Sequence, residues 1–193
     1  MEACHLGASL ATGAAAALDD ALALLKTQPV TPVLRSIVNS RGRVDPVLVA
    51  QAHAWFEPAY RISSSLGSPG QSLAFPTWRY GHEPTSPFAT HIAKYFQNSI
   101  REDGLLAVAK QGIVYFEGKT GTIQEIFQDG NQNYYKMFDC FSPMVLFGTE
   151  YWTTKYPVVG VLKELFTPAE FARYVLLTDD VSAAALFIER FTP

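Results

Sequence analysis

Residues 112–130, GIVYFEGKTGTIQEIFQDG, change periodicity twice within a few positions, and few folds accommodate such a change. Ile113, Val114, Tyr115 and Phe116 form a β-branched and aromatic run without polar alternation, which predicts a short strand buried on both faces of a parallel sheet. Gly118 and Gly121 then punctuate a tight loop. From Thr122 the pattern is helical, with Ile123, Ile126 and Phe127 on one side and Thr122 and Glu125 spaced as a capping box. A helix that begins directly after a Gly-rich loop points unpaired N–H groups and its positive dipole end above the sheet, where an anion binds. Gly118, Lys119, Thr120, Gly121 and Thr122 are therefore candidate anion-binding residues. The same glycines and caps could equally serve the chain alone, with no ligand. Lys119 favours a phosphate here and Glu117 opposes it.

The rest of the chain reads as helices alternating with short strands. Residues 1–26 are rich in Ala and Leu, with Leu6, Leu10, Ala14, Leu18, Leu22 and Leu25 at helical spacing, and predict one or two helices. Pro29 and Pro32 end that pattern, and the polar SRGRVD loop closes on Asp45-Pro46, an N-cap followed by proline at the first helical position. A helix over residues 46–64 follows, whose Val47, Val49, Ala50, Trp55 and Phe56 read as core or interface. Residues 72–75 predict a brief strand. It leads into PTWRYGHEPTSPF, where Arg79, Tyr80, His82 and Glu83 lie between turn residues in the kind of loop that carries function, or that is merely solvated. Ser86-Pro87 predicts another helix start. Along that helix His91, Lys94, Asn98 and Arg101 would share one polar face, opposite Ala89, Ile92, Phe96 and Ile100 on the core side. Further strands are expected at 144–147 and 174–177, with helices near 158–165, after Thr167-Pro168 and over 181–191. The alternation implies one α/β domain over residues 1–193, a doubly wound parallel sheet.

With 193 residues, 48% hydrophobic and 17% charged, the chain can bury a substantial core. A formal net charge of -3 supplies no basic field for nucleic acid or anionic lipid, which directs attention to small molecules and protein partners. Cys4 and Cys140 are far apart, and His5, His53, His82 and His91 show no ligand spacing, so neither a disulfide framework nor a metal site is expected. No apolar run approaches the ~20 residues that span a bilayer. A cytoplasmic, membrane-free protein is the expectation.

Three of these stretches together resemble the LONELY GUY (LOG) family, also called lysine decarboxylase-like, whose members are Rossmann-like phosphoribohydrolases. The family's P-G-G-x-G-T-x-x-E motif is matched at Gly118, Gly121, Thr122 and Glu125, with Glu117 standing at its proline and Lys119 at its second glycine. NSIREDGLL places Arg101 where the family carries a catalytic arginine, and MEACHLGA is similar to the piece after the family's N-terminal G-G-G-P-G-A loop. The resemblance implies a Rossmann-like three-layer fold, lacking here its N-terminal part. It also implies cleavage of a nucleoside 5'-monophosphate to free base and ribose 5-phosphate, without cofactor or metal, in a homodimer. Glu125 and Arg101 would be catalytic, and the Thr120 to Thr122 amides would hold the phosphate. Arg79, His82, Glu83, Lys94 and Asn98 are possible pocket residues. Trp55, Phe56 and Tyr60 are the candidate dimer face. Two other classes of function compete, a non-catalytic nucleotide-binding or regulatory module and a structural subunit. If MEACHLGA does follow a missing loop, the functional protein is expected to start upstream of Met1.

Overall fold

The computed structural model describes residues 2–10, 15–77, 85–137, 139 and 141–192. The chain clusters into two compact units, Met1–Arg101 and Glu102–Pro193.

In the first unit the Ala-rich start forms two helices, α1 (Glu2–Leu10) and α2 (Ala15–Leu25). The polar loop expected after them is a tight turn closed by an antiparallel bridge between Val38 and Val44. Asn39 Oδ1 fills it, accepting from the Arg41 and Arg43 amides at 2.9 and 3.0 Å. Helix α3 (Pro46–Ser65) starts where Asp45-Pro46 predicts, with Asp45 Oδ1 accepting from the Val47 amide at 2.9 Å. Pro58 lies inside α3 and removes a backbone donor. Gln28 Nε2 donates to the nearby Trp55 carbonyl at 2.8 Å. The core of this unit is Leu6, Ala21, Ala59, Ile62 and Phe88, with Leu10, Leu24, Leu25 and Leu66 packed against it. Val47 and Val49, expected at a core or interface, are exposed, and Ala52 and Pro58 take the buried face of α3 instead.

The helix expected from Ser86-Pro87 to Arg101 is not formed. Ser86 caps only a turn, its Oγ accepting from the Phe88 amide at 3.3 Å. His91–Ile92 is a strand, β2, parallel to β1 (Leu73–Ala74). The pairing is extended by Ala93 N–H to Ala74 O (2.9 Å), by Tyr95 N–H to Pro76 O (3.0 Å), and by a parallel bridge between Thr77 and Tyr95. Backbone pairing with a segment distant in sequence thus overrides the helical spacing. Ile92, Phe96 and Ile100 are exposed rather than core-facing. The helix that does form is α4 (Asn98–Val108).

The second unit is the parallel α/β arrangement the sequence leads one to expect. Strands β3 (Ile113–Tyr115), β4 (Met144–Phe147) and β5 (Val175–Thr178) lie in the order β3-β4-β5, all parallel, in register Tyr115 to Leu146 and Leu146 to Leu177. Helix α5 (Thr120–Tyr134) joins β3 to β4. A π-helix (Tyr151–Lys155), α6 (Val158–Leu165) and α7 (Pro168–Tyr174) join β4 to β5, and α8 (Val181–Glu189) follows. Thr167 and Glu170 form a complete capping box at α7, and Asp180 caps α8 by accepting from the Ser182 and Ala183 amides at 2.7 and 3.3 Å. β4 is the central strand, and Met144, Val145 and Leu146 are fully buried. Around it pack Ile126, Trp152, Leu162, Phe166 and Val175. The expectation that β3 is buried on both faces fails at Val114, which is 36% exposed while Tyr115 is buried. The strand near residue 73 belongs to the other sheet, so among the described residues the strands do not form the single sheet expected from the alternation.

Candidate functional site

Parallel strands deliver their following loops to one edge, the carboxyl edge, where open α/β sheets bind ligands. In the second unit that edge carries the loops after Tyr115, Phe147 and Thr178, and three hydrogen bonds tie them together. The Gly148 amide donates to Thr178 O at 3.0 Å, and the Thr149 amide donates to Asp179 Oδ1 at 2.8 Å. Hydrogen bonding from the Thr149 side chain and from its amide holds the Asp179 carboxyl below its ordinary range. Tyr151 Oη donates to Gly118 O at 2.5 Å, joining the β4 loop to the loop after β3. Two glycines are required here for stated reasons. A Cβ on Gly118 would lie 2.1 Å from Thr122 Oγ1, and Gly148 has φ +112° with the Glu117 side chain packed close to it.

Of the predicted anion-binding residues, Gly118, Lys119, Thr120, Gly121 and Thr122 are contiguous at this edge, but the helix begins earlier than expected. Lys119 is the N-cap and Thr120 the first residue of α5. Thr122 therefore sits inside the first turn, and the predicted Thr122/Glu125 capping box is absent because neither residue stands at the cap. Lys119 makes no side-chain cap bond. A helix's first amides have no partner within the helix, so the start of α5 presents donors without a side-chain acceptor at its cap. Gly121 occupies a helical position with open space where a Cβ would stand, so packing does not demand glycine there. Glu125 follows just beyond the first turn of α5 and is half-buried.

The remaining predicted residues fall elsewhere. Arg79, His82 and Glu83 lie outside the described residues. His91 is on β2 and Lys94 in the connection after it, so neither shares a helical face with Asn98 and Arg101 as the sequence predicts. Arg101, on α4, is 7% exposed. Its Nη1 donates to Phe75 O at 3.1 Å and its Nε to Asn98 Oδ1 at 2.9 Å. Arg101 belongs to the first unit and Glu125 to the second. In the second unit a cavity of about 500 Å3 is lined by Leu176, Leu186, Phe187, Arg173 and Arg190 among others, none of them a residue the sequence predicts for the site.

Sequence reasoning missed the buried polar groups that join β3, α5 and the segment before β4. Tyr115 Oη donates to Asp129 Oδ2 at 2.8 Å, and Asn133 Nδ2 donates to Asp129 Oδ1 at 3.2 Å. Asn133 also exchanges two hydrogen bonds with the Ser142 backbone, accepting from its amide at 2.8 Å and donating to its carbonyl at 3.0 Å. Burial raises the Asp129 carboxyl to about 7, partly offset by the Tyr115 hydrogen bond, and burial with the nearby Asp129 charge raises the Tyr115 phenol well above its ordinary range. Glu102, also buried, accepts from Gln124 Nε2. The available signal was polar residues at the core-facing positions of α5, Asp129 and Asn133 lying i and i+4 beside Ile126.

Among the described residues there is no group of three or more His, Cys, Asp or Glu arranged to hold a metal ion, and no helix is long and apolar enough to cross a membrane. No protein-family model matches the chain, and no curated protein sequence matches it.

Proposed function

We propose that the chain is a Rossmann-like nucleotide hydrolase that cleaves the N-glycosidic bond of a nucleoside 5'-monophosphate to free base and ribose 5-phosphate. The observation that carries this reading is the junction of β3 and α5. A parallel strand ends in a loop whose Gly118 admits no side chain, and that loop opens a 15-residue helix at the carboxyl edge. The phosphate lies on the Thr120 to Thr122 amides. Glu125, about a turn further on, faces the ribose, stabilises positive charge developing at C1′ and takes a proton from the attacking water, while the base departs with a proton. The LOG resemblance also implies a catalytic role for Arg101. Rossmann-like three-layer organisation and the LOG resemblance belong to the same proposal.

The experiment is release of ribose 5-phosphate from AMP and other monophosphates. Glu125→Gln is expected to lower turnover about a hundredfold with the melting curve unchanged. Arg101→Ala is expected to lower it too, and is assayed at a temperature where circular dichroism shows it folded, because it leaves Phe75 O and Asn98 Oδ1 without their donor. Full turnover in both variants overturns the assignment of those residues.

A second reading, nucleotide binding without catalysis, is favoured by one observation: the Arg101 guanidinium is buried and engaged by Phe75 O and Asn98. Glu117 and Lys119 point the same way. Calorimetric binding of AMP with no base released over hours supports it.

The proposal includes a homodimer through the aromatic face of α3. Trp55 and Phe56 meet edge to face at 4.7 Å, Phe56 lies 5.8 Å from Tyr60, and Tyr60 is exposed. Tyr and Trp are enriched at such interfaces. Sedimentation at micromolar concentration is expected to give a dimer that Tyr60→Ala weakens, and a wild-type monomer under those conditions overturns the expectation.

A further inference from the structure

The second unit has a hollow beside the amino end of β5, at the opposite end of the strands from the loops after β3 and β4. Gln111, just before β3, fixes the end of α8 there: its Nε2 donates to Ile188 O at 3.2 Å and to Phe191 O at 2.7 Å. Between α8 and β5 lies the cavity of about 500 Å3, walled by Leu176 of β5, by Leu186 and Phe187 of α8 and by Pro143, which precedes β4. That volume falls within the roughly 300–1,000 Å3 of small-molecule sites.

The walls are apolar, and the charge on them is of one sign. Among the described residues lining the cavity, Arg173 and Arg190 are the charged ones. Both are exposed, and among the described residues neither guanidinium makes an ion pair or a side-chain hydrogen bond; Arg173 lies over the Tyr174 ring at 5.0 Å. The acid nearest to Arg173 in sequence, Glu170, is engaged elsewhere, its Oε2 accepting from the Thr167 amide at 3.0 Å and from Thr167 Oγ1 at 2.7 Å. Two like charges on one low-dielectric hollow raise the potential there and attract an anion. An adjoining cavity of about 410 Å3 shares Arg173 and is lined also by Asp139 and Glu170. Their negative charge opposes a dianion more than a monoanion.

We propose that this cavity is a binding site for a carboxylate on a medium-length apolar chain: Arg173 and Arg190 take the carboxylate, and Leu176, Leu186, Phe187 and Pro143 take the chain. A guanidinium offers parallel N–H groups that match the two oxygens of a carboxylate. Each methylene that leaves water for the apolar walls adds affinity. Exposed cations alone hold an anion weakly, so head and chain are both required. The site is independent of the start of α5, and its failure leaves the nucleotide reading untouched.

The test is calorimetry on the full chain with octanoate, with 1-octanol as the same chain without charge, acetate as the charge without the chain, and octyl phosphate as the dianion. Octanoate is expected to bind at least tenfold more tightly than each of the other three. The double variant Arg173→Gln/Arg190→Gln, which alters two exposed side chains, is expected to weaken octanoate at least tenfold. Leu186→Trp, which narrows the cavity from a half-exposed position, is expected to weaken octanoate as well. No binding of octanoate at millimolar concentration overturns the inference, as does octanoate binding that both variants leave unchanged. Equal binding of 1-octanol reduces the site to an apolar patch, and tighter binding of octyl phosphate overturns the choice of a carboxylate.

Discussion

Replacement of Trp152 by alanine is expected to destabilise the second unit by about 3–5 kcal/mol, the cost of truncating a large aromatic in a core. The side chain is fully buried, packed among Met144, Leu146, Val158 and Leu162 in one cluster. Its indole Nε1 donates to Phe147 O at 3.0 Å, at the end of the central strand, so the substitution also leaves that carbonyl short of a donor. The π-helix is what brings the ring there. A π-turn is a poor backbone conformation in isolation, and here Trp152 inward and Tyr151 against the Gly118 loop offset its cost. The half-buried Trp55 on α3 is the control. Trp55→Ala removes less buried surface and is expected to cost clearly less. Urea unfolding of the two variants checks the comparison. A loss below about 1 kcal/mol for Trp152→Ala would mean that the core around β4 repacks without it.

The parts of the fold that were legible in the sequence are those specified by neighbours. β4 runs over Met144–Phe147 because an unbroken apolar stretch between Pro143 and Gly148 can only be a short buried strand. α3 and α7 start at Asp45-Pro46 and Thr167-Pro168, where a side-chain acceptor and a proline with no N–H to satisfy occur together. Ser86-Pro87 has the same form and gives only a turn. What differs is not local: Leu73 and Ala74 lie parallel to His91 and Ile92, and that pairing claims the backbone a helix would need. Helical spacing of His91, Lys94, Asn98 and Arg101 carries no information about such a partner. The site divides along the same line. Gly118 was legible because its constraint comes from Thr122, four residues away. Tyr151 was not, since its partner is 33 residues away. The start of α5 was misplaced because the Thr122 and Glu125 spacing is equally compatible with a cap and with positions inside the first turns.

The buried carboxyl of Asp129 is expected to make the protein lose stability as pH rises from about 4 to about 7. In the folded state burial raises this group from an ordinary 3.8 to about 7, and the unfolded chain returns it to the ordinary value. Between those limits the folded state holds a proton that the unfolded state has released, so the stability of the fold falls with increasing pH. The contribution is fully present below about 4 and lost through about 7; three pH units correspond to on the order of 4 kcal/mol. Lowered carboxyls such as Asp179 act in the opposite sense at lower pH, so the informative quantity is a difference between variants. Asp129→Asn keeps the shape and cannot ionise. Its amide oxygen can accept from Asn133 Nδ2, and its amide nitrogen can donate to the Tyr115 hydroxyl, which serves as acceptor as readily as donor. Urea unfolding from pH 4.5 to pH 8 should therefore show Asp129→Asn gaining on the wild type as pH rises and overtaking it above neutrality. Tyr115→Phe removes a donor that favours the carboxylate, leaving Asn133 Nδ2, and should extend the wild-type decline to higher pH. Parallel stability curves for wild type and Asp129→Asn across that range would show that Asp129 is ionised in the folded protein throughout.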